Sequence, residues 1–169
     1  FSGLSNLRKG GWQTPSAITF YEADVNLENC IFANNSNCDD ALNVVRSDFL
    51  VSNCRFENTF ADAFDSDFCT GTVINCVFQN TGNDAIDFSG SQVNIEDCKM
   101  INISDKAISG GENSTLNVSN CEIVKANIGV AGKDLSTLKL DKITMEQTVY
   151  GLVAFVKKPE YGPANIIID

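Results

Sequence analysis

The sequence predicts an all-β fold, a single-stranded parallel β-helix of about seven coils, and two observations lead to this prediction. The first is an internal repeat of about 22 residues, a period typical of solenoids. The second is that short runs rich in Val, Ile, Leu and Phe alternate with polar residues and are separated by Asn, Asp, Ser and Gly, as in strands and turns. Leucine-rich repeats have a similar period, but their closely spaced Leu residues and helical half are missing.

The 169 residues predict one domain, because a chain of this length can bury a single substantial core. We expect residues 1–16 to form an entry coil or N-terminal edge, 17–150 the regular coils and 151–169 a last partial coil. Each copy begins at a small residue: Ala17, Ala41, Ala63, Ala85, Ala107, Gly129 and Gly151. The final "ANIIID" reads as the start of a further coil, which predicts a segment of a longer protein and end-to-end self-association.

Equivalent positions of successive coils stack at about 4.8 Å in a parallel solenoid, so each aligned position becomes a column. Three apolar columns are predicted to form the core. The first is Leu27, Val51, Val73, Ile95, Val118 and Leu140. The second is Cys30, Cys54, Cys76, Cys98, Cys121 and Ile143, and the third is Phe32, Phe56, Phe78, Met100, Ile123 and Met145.

The residue before the second core column predicts a corner, because Asn tolerates a left-handed backbone and stacked amides can bond to one another. This corner column is Asn29, Asn53, Asn75, Asp97, Asn120 and Lys142. A further polar column predicts another corner at Asn34, Asn58, Asn80 and Asn102.

Five of the seven cysteines lie in a core column, where Cys acts as a small apolar residue. Stacked Cβ atoms are about one strand spacing apart, which is longer than a disulfide prefers. No Cys-x-x-Cys pair indicates a zinc site. We therefore predict free, buried thiols, with Cys38 and Cys69 in turns and not paired with each other.

The chain has 12 Lys and Arg, 22 Asp and Glu, no His and a net charge of −10. This charge repels a phosphate backbone, so nucleic acid is not an expected partner, whereas cations and neutral or cationic ligands fit better. The lack of His excludes Ser-His-Asp and Cys-His catalysis and His-containing zinc sites. No apolar run is long enough for a membrane span.

Carboxylates recur around the small residue in three successive coils. The candidate metal ligands are Asp62, Asp65, Asp67, Asp84 and Asp87. Strand alternation points the column of Asp65 and Asp87 away from the core, and like charges about 5 Å apart disfavour full ionisation unless a cation or hydrogen-bond donors lie among them. A hard cation, Ca²⁺ above all, would fit. The alternatives are a solvated face whose aspartates cap turn amides, and groups that attack a sugar or transfer a proton to it.

Toward the C-terminal end the same face becomes mixed in charge. The alignment places Lys106 above Asp84, and Lys133 in the column of Asp67. Candidate substrate-binding residues here are Asp84, Glu112, Asp134 and Lys157. A surface of this kind can bind an acidic sugar, or it can pair its own charges as exposed salt bridges.

Coils with the corner "NCxF", as in "NCRF" and "NCVF", resemble the right-handed parallel β-helix repeats of the pectate-lyase-like superfamily over residues 17–160. More narrowly, "DAFDSDF", "NDAIDFSGS" and "GVAGKDLS" resemble β-helix segments of bacterial surface or secreted proteins, some of them attached to CotH-type spore-coat kinase domains. The resemblance implies a right-handed solenoid and an extracellular or cell-surface location. A shared fold does not by itself transfer a function.

Carbohydrate-active members of this superfamily imply two enzyme hypotheses. Polygalacturonase-like hydrolases use three aspartates together with a His and an Arg-x-Lys segment. Asp65, Asp67 and Asp87 would correspond to the three aspartates, but this sequence has no His and no such basic segment. Lyases of this fold use a Lys or Arg to remove a proton beside a uronate carboxyl group, with a cation such as calcium stabilising the charge. Lys106 or Lys133 would be that base, beside carboxylates as cation ligands.

The sequence leaves three functions open. The first is a noncatalytic extracellular scaffold or binding module associated with a polysaccharide. The second is a lyase or glycoside hydrolase acting on an acidic polysaccharide, and the third is a surface adhesin or assembly module. The coils are nearly minimal, with one clear insertion at "NNSNC", and this favours the first because functional clefts are usually carried on loops.

Overall fold

The computed structural model describes the backbone of residues 1–169 and every side chain except that of Trp12. In chain order the strands are β1 (Arg8–Lys9), β2 (Trp12–Gln13), β3 (Ile18–Tyr21), β4 (Val25–Glu28), β5 (Ile31–Ala33), β6 (Asp40–Val45), β7 (Asp48–Ser52), β8 (Arg55–Thr59), β9 (Asp62–Asp67), β10 (Thr70–Ile74), β11 (Val77–Thr81), β12 (Ile86–Ser89), β13 (Gln92–Glu96), β14 (Lys99–Gly111), β15 (Thr115–Ser119), β16 (Glu122–Lys133), β17 (Thr137–Asp141), β18 (Thr144–Glu146), β19 (Tyr150–Phe155) and β20 (Asn165–Ile168).

These strands stack as three faces of a parallel β-solenoid, which confirms the predicted fold class. Face 1 contains β3, β6, β9, β12, the second halves of β14 and β16, and β19. Face 2 contains β4, β7, β10, β13, β15, β17 and β20. Face 3 contains β5, β8, β11, the first halves of β14 and β16, and β18. Residues pair with the equivalent position one coil away, as Val51 does with Val73 and Val73 with Ile95.

The solenoid has about six turns rather than the seven predicted, because residues 151–169 supply strands only to faces 1 and 2. At the opposite, lower end, Ser2 and Ser5 form parallel bridges with Ala33 and Ser36. The short antiparallel pair of β1 and β2 follows this segment. The described residues include no helix that is long and apolar enough to cross a bilayer.

The upper end of the solenoid exposes part of the apolar interior. Leu140, Met145, Leu152 and Ile168 line a cavity of about 380 Å³ there. Ile168 is largely exposed. Self-association through this surface stays a prediction.

The three predicted core columns form the interior. Phe32, Phe56 and Phe78 stack with ring centroids 4.6 and 4.8 Å apart and planes 7° apart. All seven cysteines are free, as predicted, and all but the half-buried Cys30 are buried. The thiols of Cys54 and Cys76 donate to carbonyl oxygens two residues earlier, so burial leaves their S–H groups bonded.

Both predicted corner columns adopt the left-handed conformation. In the first, φ lies between 52° and 57° from Asn29 to Lys142, and in the second it is 54° to 57° at Asn34, Asn58, Asn80 and Asn102. The amides also form ladders: Asn80 Nδ2 donates to Asn58 Oδ1 at 2.9 Å, and Asn102 Nδ2 donates to Asn80 Oδ1 at 2.8 Å.

We expect Asn80→Ala to lower the free energy of unfolding by about 1–3 kcal/mol, because Ala resists the left-handed conformation and both amide bonds are lost. Asn80→Gly is the matched control, since it loses the same bonds but adopts φ of 57° freely. Urea unfolding should place the Gly variant between the Ala variant and the unsubstituted protein. An Ala variant as stable as the unsubstituted protein would show that this corner is not constrained.

Candidate functional site

Face 1 carries six aspartates on three successive coils, and we call this surface the aspartate groove. Its members are Asp40, Asp62, Asp65, Asp67, Asp84 and Asp87. Strand alternation explains the direction of Asp65 and Asp87: Phe64 and Ile86 are fully buried in the core, so the next residue on each strand points away from it. Asp40, Asp62 and Asp84 instead lie at the corner where β6, β9 and β12 begin. Asp65 lies between Asn43 and Asp87 in the resulting column, and Ser109 follows Asp87.

The aspartate groove is not the solvated face that was one of the sequence interpretations. Asp40 is 2% exposed and Asp84 is 1% exposed, and Asp62 is also buried. The stacked rungs shield these side chains from both sides, because each lies one strand spacing from its neighbours. The segment around Pro15 forms a further wall at the lower end. Asp65, Asp67 and Asp87 are partly exposed, so the groove combines three buried carboxyl groups with three that solvent reaches in part.

The other part of that interpretation, that aspartates cap turn amides, is confirmed at two positions. Asp62 Oδ1 accepts hydrogen bonds from the backbone N–H of Asp84 at 2.8 Å and from the side chain of Asn83 at 2.7 Å. Asp84 Oδ1 accepts one from the backbone N–H of Lys106 at 2.9 Å. These two aspartates therefore hold the corner of the next coil in place.

Burial and mutual repulsion change the protonation of the aspartate groove. Burial, followed by the negative charges of Asp62 and other neighbours, raises the pKa of Asp40 to about 8. Burial and the charge of Asp40 raise the pKa of Asp65 to about 9, and burial and the charge of Asp62 raise that of Asp84 to about 7. Removing a carboxylate from water beside like charges favours its neutral form. These shifts favour the neutral form of Asp40 and Asp65 at neutral pH.

Two lysines neutralise the upper part of the groove. Lys106 Nζ lies 3.0 Å from Asp84 Oδ1 and also contacts Asp105. Lys133 Nζ lies 3.0 and 3.2 Å from the two carboxylate oxygens of Asp87, and its side chain is only 6% exposed. These ion pairs are largely buried, in contrast to the exposed salt bridges among the sequence alternatives.

The position of Gly111 explains how Lys133 reaches a carboxylate two coils away. A Cβ atom on Gly111 would lie 3.2 Å from Cε of Lys133, so the lysine side chain crosses the coil where a glycine leaves room. The sequence placed Lys106 over Asp84, which is confirmed. It did not show that Lys133 meets Asp87, which lies in the neighbouring column; the available signal was Gly111, the residue one coil below Lys133 in its own column.

The other predicted substrate-binding residues form a separate cluster on the corner beside face 1. Glu112 pairs with the ammonium group of Lys158. Asp134 is buried and accepts the backbone N–H groups of Lys157 and Lys158 at 2.6 and 2.7 Å. Lys157 is held through its backbone. This cluster therefore fixes the segment after β19.

The lower part of the groove opens into a cleft of about 360 Å³, which we call the lower cleft. Its lining comprises Gln13, Thr14, Pro15, Thr19, Tyr21, Asp39, Asp40, Asn43, Val45, Asp65 and Asp67. Neither Asp40 nor Asp65 has a hydrogen-bonding or ionic partner for its carboxyl group among the described side chains. The sequence analysis missed the wall formed by residues 13–15, which lies outside the repeat, and Tyr21, which starts the column that leads through Val45 to Asp67.

Calcium was the metal expected for these carboxylates. One oxygen from each of Asp62, Asp84 and Asp87 lies within 4.8 Å of the other two. Calcium takes six to eight oxygen ligands, however, and Asp84 and Asp87 already face lysine ammonium groups. The internal ammonium groups take the place that a hard cation would need, so this triad fits calcium poorly.

The lysines were also candidates for a catalytic base. Burial works against the charged form of Lys106, but the hydrogen bond that its ammonium group donates to Asp105 and the contact with Asp84 outweigh it and raise the pKa of Lys106. A base must be free of its proton near neutral pH, whereas these contacts retain it. The arrangement therefore favours lysine as a fixed positive charge.

No protein-family model and no curated protein sequence matches the chain. The structure shows a parallel β-solenoid, and the relation to pectate-lyase-like proteins or to segments linked with CotH-type domains stays an interpretation of the sequence. Functional arguments for this protein therefore depend on the geometry of the aspartate groove and the lower cleft.

Proposed function

We propose that this solenoid is a noncatalytic binding module that holds a polysaccharide chain along face 1 at an extracellular or cell-surface location. The observation that carries the proposal is the lower cleft, where Asp40 and Asp65 present carboxyl groups that no described side chain pairs with and whose pKa values burial raises to about 8 and about 9. A neutral carboxyl group both donates and accepts hydrogen bonds, which suits the hydroxyl groups of a sugar. Stacked repeats also provide an extended surface for a chain-like ligand.

An aromatic side chain at the lower end supports the same proposal. Tyr21 lines the lower cleft and is 56% exposed. The guanidinium group of Arg46 donates to the Tyr21 hydroxyl at 3.1 Å and also pairs with Glu22. Because the Tyr21 ring is held at its hydroxyl end, it loses little conformational entropy on binding. Its apolar face can then pack against the ring of a sugar.

The experiment that tests the proposal is titration of the purified protein with neutral, amine-bearing and uronate oligosaccharides, with reducing ends assayed in parallel. We expect one class to bind without release of reducing ends, and Tyr21→Ala to weaken that binding by about tenfold, equivalent to about 1.4 kcal/mol. Phe60→Ala is the matched control, since Phe60 is equally exposed but does not line the lower cleft. Failure of every class to bind would refute the proposal.

One observation favours hydrolysis as a second candidate function. Asp65 and Asp87 are neighbours in one column, yet Asp65 carries a raised pKa while Asp87 faces the Lys133 ammonium. Paired carboxyl groups in different environments are typical of glycosidases, where one acts as an acid and the other as a nucleophile or base. Release of reducing ends that Asp65→Asn abolishes would replace the binding proposal with this one.

A further inference from the structure

The two parts of the aspartate groove differ in one respect. In the upper part the protein supplies its own ammonium groups, from Lys106 to Asp84 and from Lys133 to Asp87. In the lower part, the carboxyl groups of Asp40 and Asp65 face no cation on any described side chain. The same column of carboxyl groups is therefore occupied by ammonium on one coil and open on the next.

The open part has the features of a built site. Asp40 is almost wholly buried and lines the lower cleft without a bonding partner for its carboxyl group among the described side chains. Buried polar groups are normally bonded, so Asp40 offers its carboxyl group to a partner that the described side chains do not supply.

The contact between Lys133 and Asp87 shows what such a group can be. One ammonium group reaches both carboxylate oxygens of Asp87 from above the groove. Asp65 lies directly opposite Asp87 in the register of β9 and β12, about one strand spacing away. An ammonium group displaced by one coil would meet Asp65 in the same way, with the ring of Tyr21 on the adjoining wall to favour a cation.

We propose that the lower cleft binds a primary ammonium group, so that the ligand is an amino-sugar polysaccharide with free amines. This inference rests on the proposed function, since it names the class of polysaccharide that the groove holds. The net charge of −10 attracts a cationic polymer and repels a polyuronate. The raised pKa values of Asp40 and Asp65 agree with carboxyl groups that lack a counter-cation, and a bound ammonium group lowers these pKa values and displaces the carboxyl proton to solvent.

The test is calorimetric titration at pH 6 with three tetrasaccharides: β-1,4-linked glucosamine, its fully N-acetylated form and galacturonate. We expect the glucosamine oligomer to bind at least about tenfold more tightly than the N-acetylated one, since a charge-assisted bond is lost on acetylation. Asp40→Asn and Asp65→Asn should each reduce this preference. Glu28→Gln, an exposed change on face 2, should not alter it, and melting curves confirm that all variants are folded.

The outcomes separate this inference from the proposed function. Equal binding of the amine and N-acetyl oligomers, or tighter binding of galacturonate, would overturn the ammonium site and leave the polysaccharide module standing. Binding of none of the three would overturn both. A rise in melting temperature with millimolar calcium that Asp65→Asn removes, together with loss of glucosamine binding in calcium, would also overturn the inference, because the cleft would then hold a metal ion.

Discussion

Phe56→Ala is expected to lower the free energy of unfolding by about 3–5 kcal/mol, which is typical of truncating a buried Phe. The Phe56 ring is fully buried and lies between Phe32 and Phe78, at centroid distances of 4.6 and 4.8 Å. Both stacking partners lie on strands that pair with the strand of Phe56, which restricts how far they can move to fill the space. Since domains are stable by only about 5–15 kcal/mol, the loss should be visible in urea unfolding followed by circular dichroism.

Phe60→Ala is the matched control for this prediction. The Phe60 side chain is 58% exposed, and surface truncations usually change stability by no more than about 0.5 kcal/mol. A loss below about 1 kcal/mol for Phe56→Ala, or equal losses for both variants, would mean that the ring stack contributes little beyond ordinary contact. It would also indicate that neighbouring coils move closer together along the solenoid axis when the Phe56 ring is removed.

The sequence predicted the coil interior and its corners because stacking converts spacing along the chain into position in space. Once Val51, Val73 and Ile95 are aligned, parallel pairing at a fixed spacing leaves their side chains in one column. The same reasoning applies to Asn58 and Asn80, where only a residue tolerant of positive φ fits the corner. Local patterns and the global fold agree at these positions, so the sequence alone was sufficient.

The aspartate groove was predictable as a set of residues but not as an environment. The columns placed Asp65 and Asp87 side by side, yet the cleft that Asp65 lines is completed from outside the repeat by Pro15. The pairing of Lys133 with Asp87 depends on a lysine lying across the glycine of the intervening coil, which the column rule does not describe. Sequence spacing therefore does not predict the contacts of a side chain that extends from its own coil onto a neighbouring coil.

The second large expected effect is the dependence of stability on pH through the protonation of Asp65. Burial and the charges of Asp40, Asp67, Asp87 and Asp62 raise the pKa of Asp65 to about 9, whereas an unfolded Asp titrates near about 3.9. Between these two pH values the folded state holds a proton that the unfolded state has released. The contribution of Asp65 to stability is therefore complete below about pH 4 and falls as the pH rises toward about 9.

Asp65→Asn removes this penalty while keeping the shape and hydrogen-bonding capacity of a neutral carboxyl group. Because one pKa unit corresponds to about 1.4 kcal/mol, we expect the variant to exceed the unsubstituted protein in stability by about 2–4 kcal/mol at pH 7.5. The two proteins should be nearly equal at pH 4. Urea unfolding at both pH values measures the difference directly.

Glu28→Gln removes one carboxylate from an exposed position on β4 and controls for the change in net charge, so it should leave stability unchanged at both pH values. Equal stability of Asp65→Asn and the unsubstituted protein at pH 7.5 would show that Asp65 ionises freely in the folded state. Hydrated, charged carboxylates would then line face 1, and the surface of neutral carboxyl groups proposed for sugar hydroxyls would not exist. A stability gain confined to neutral and higher pH would instead show that the fold retains a poorly hydrated carboxyl group at a stability cost, as expected where a ligand supplies the missing partner.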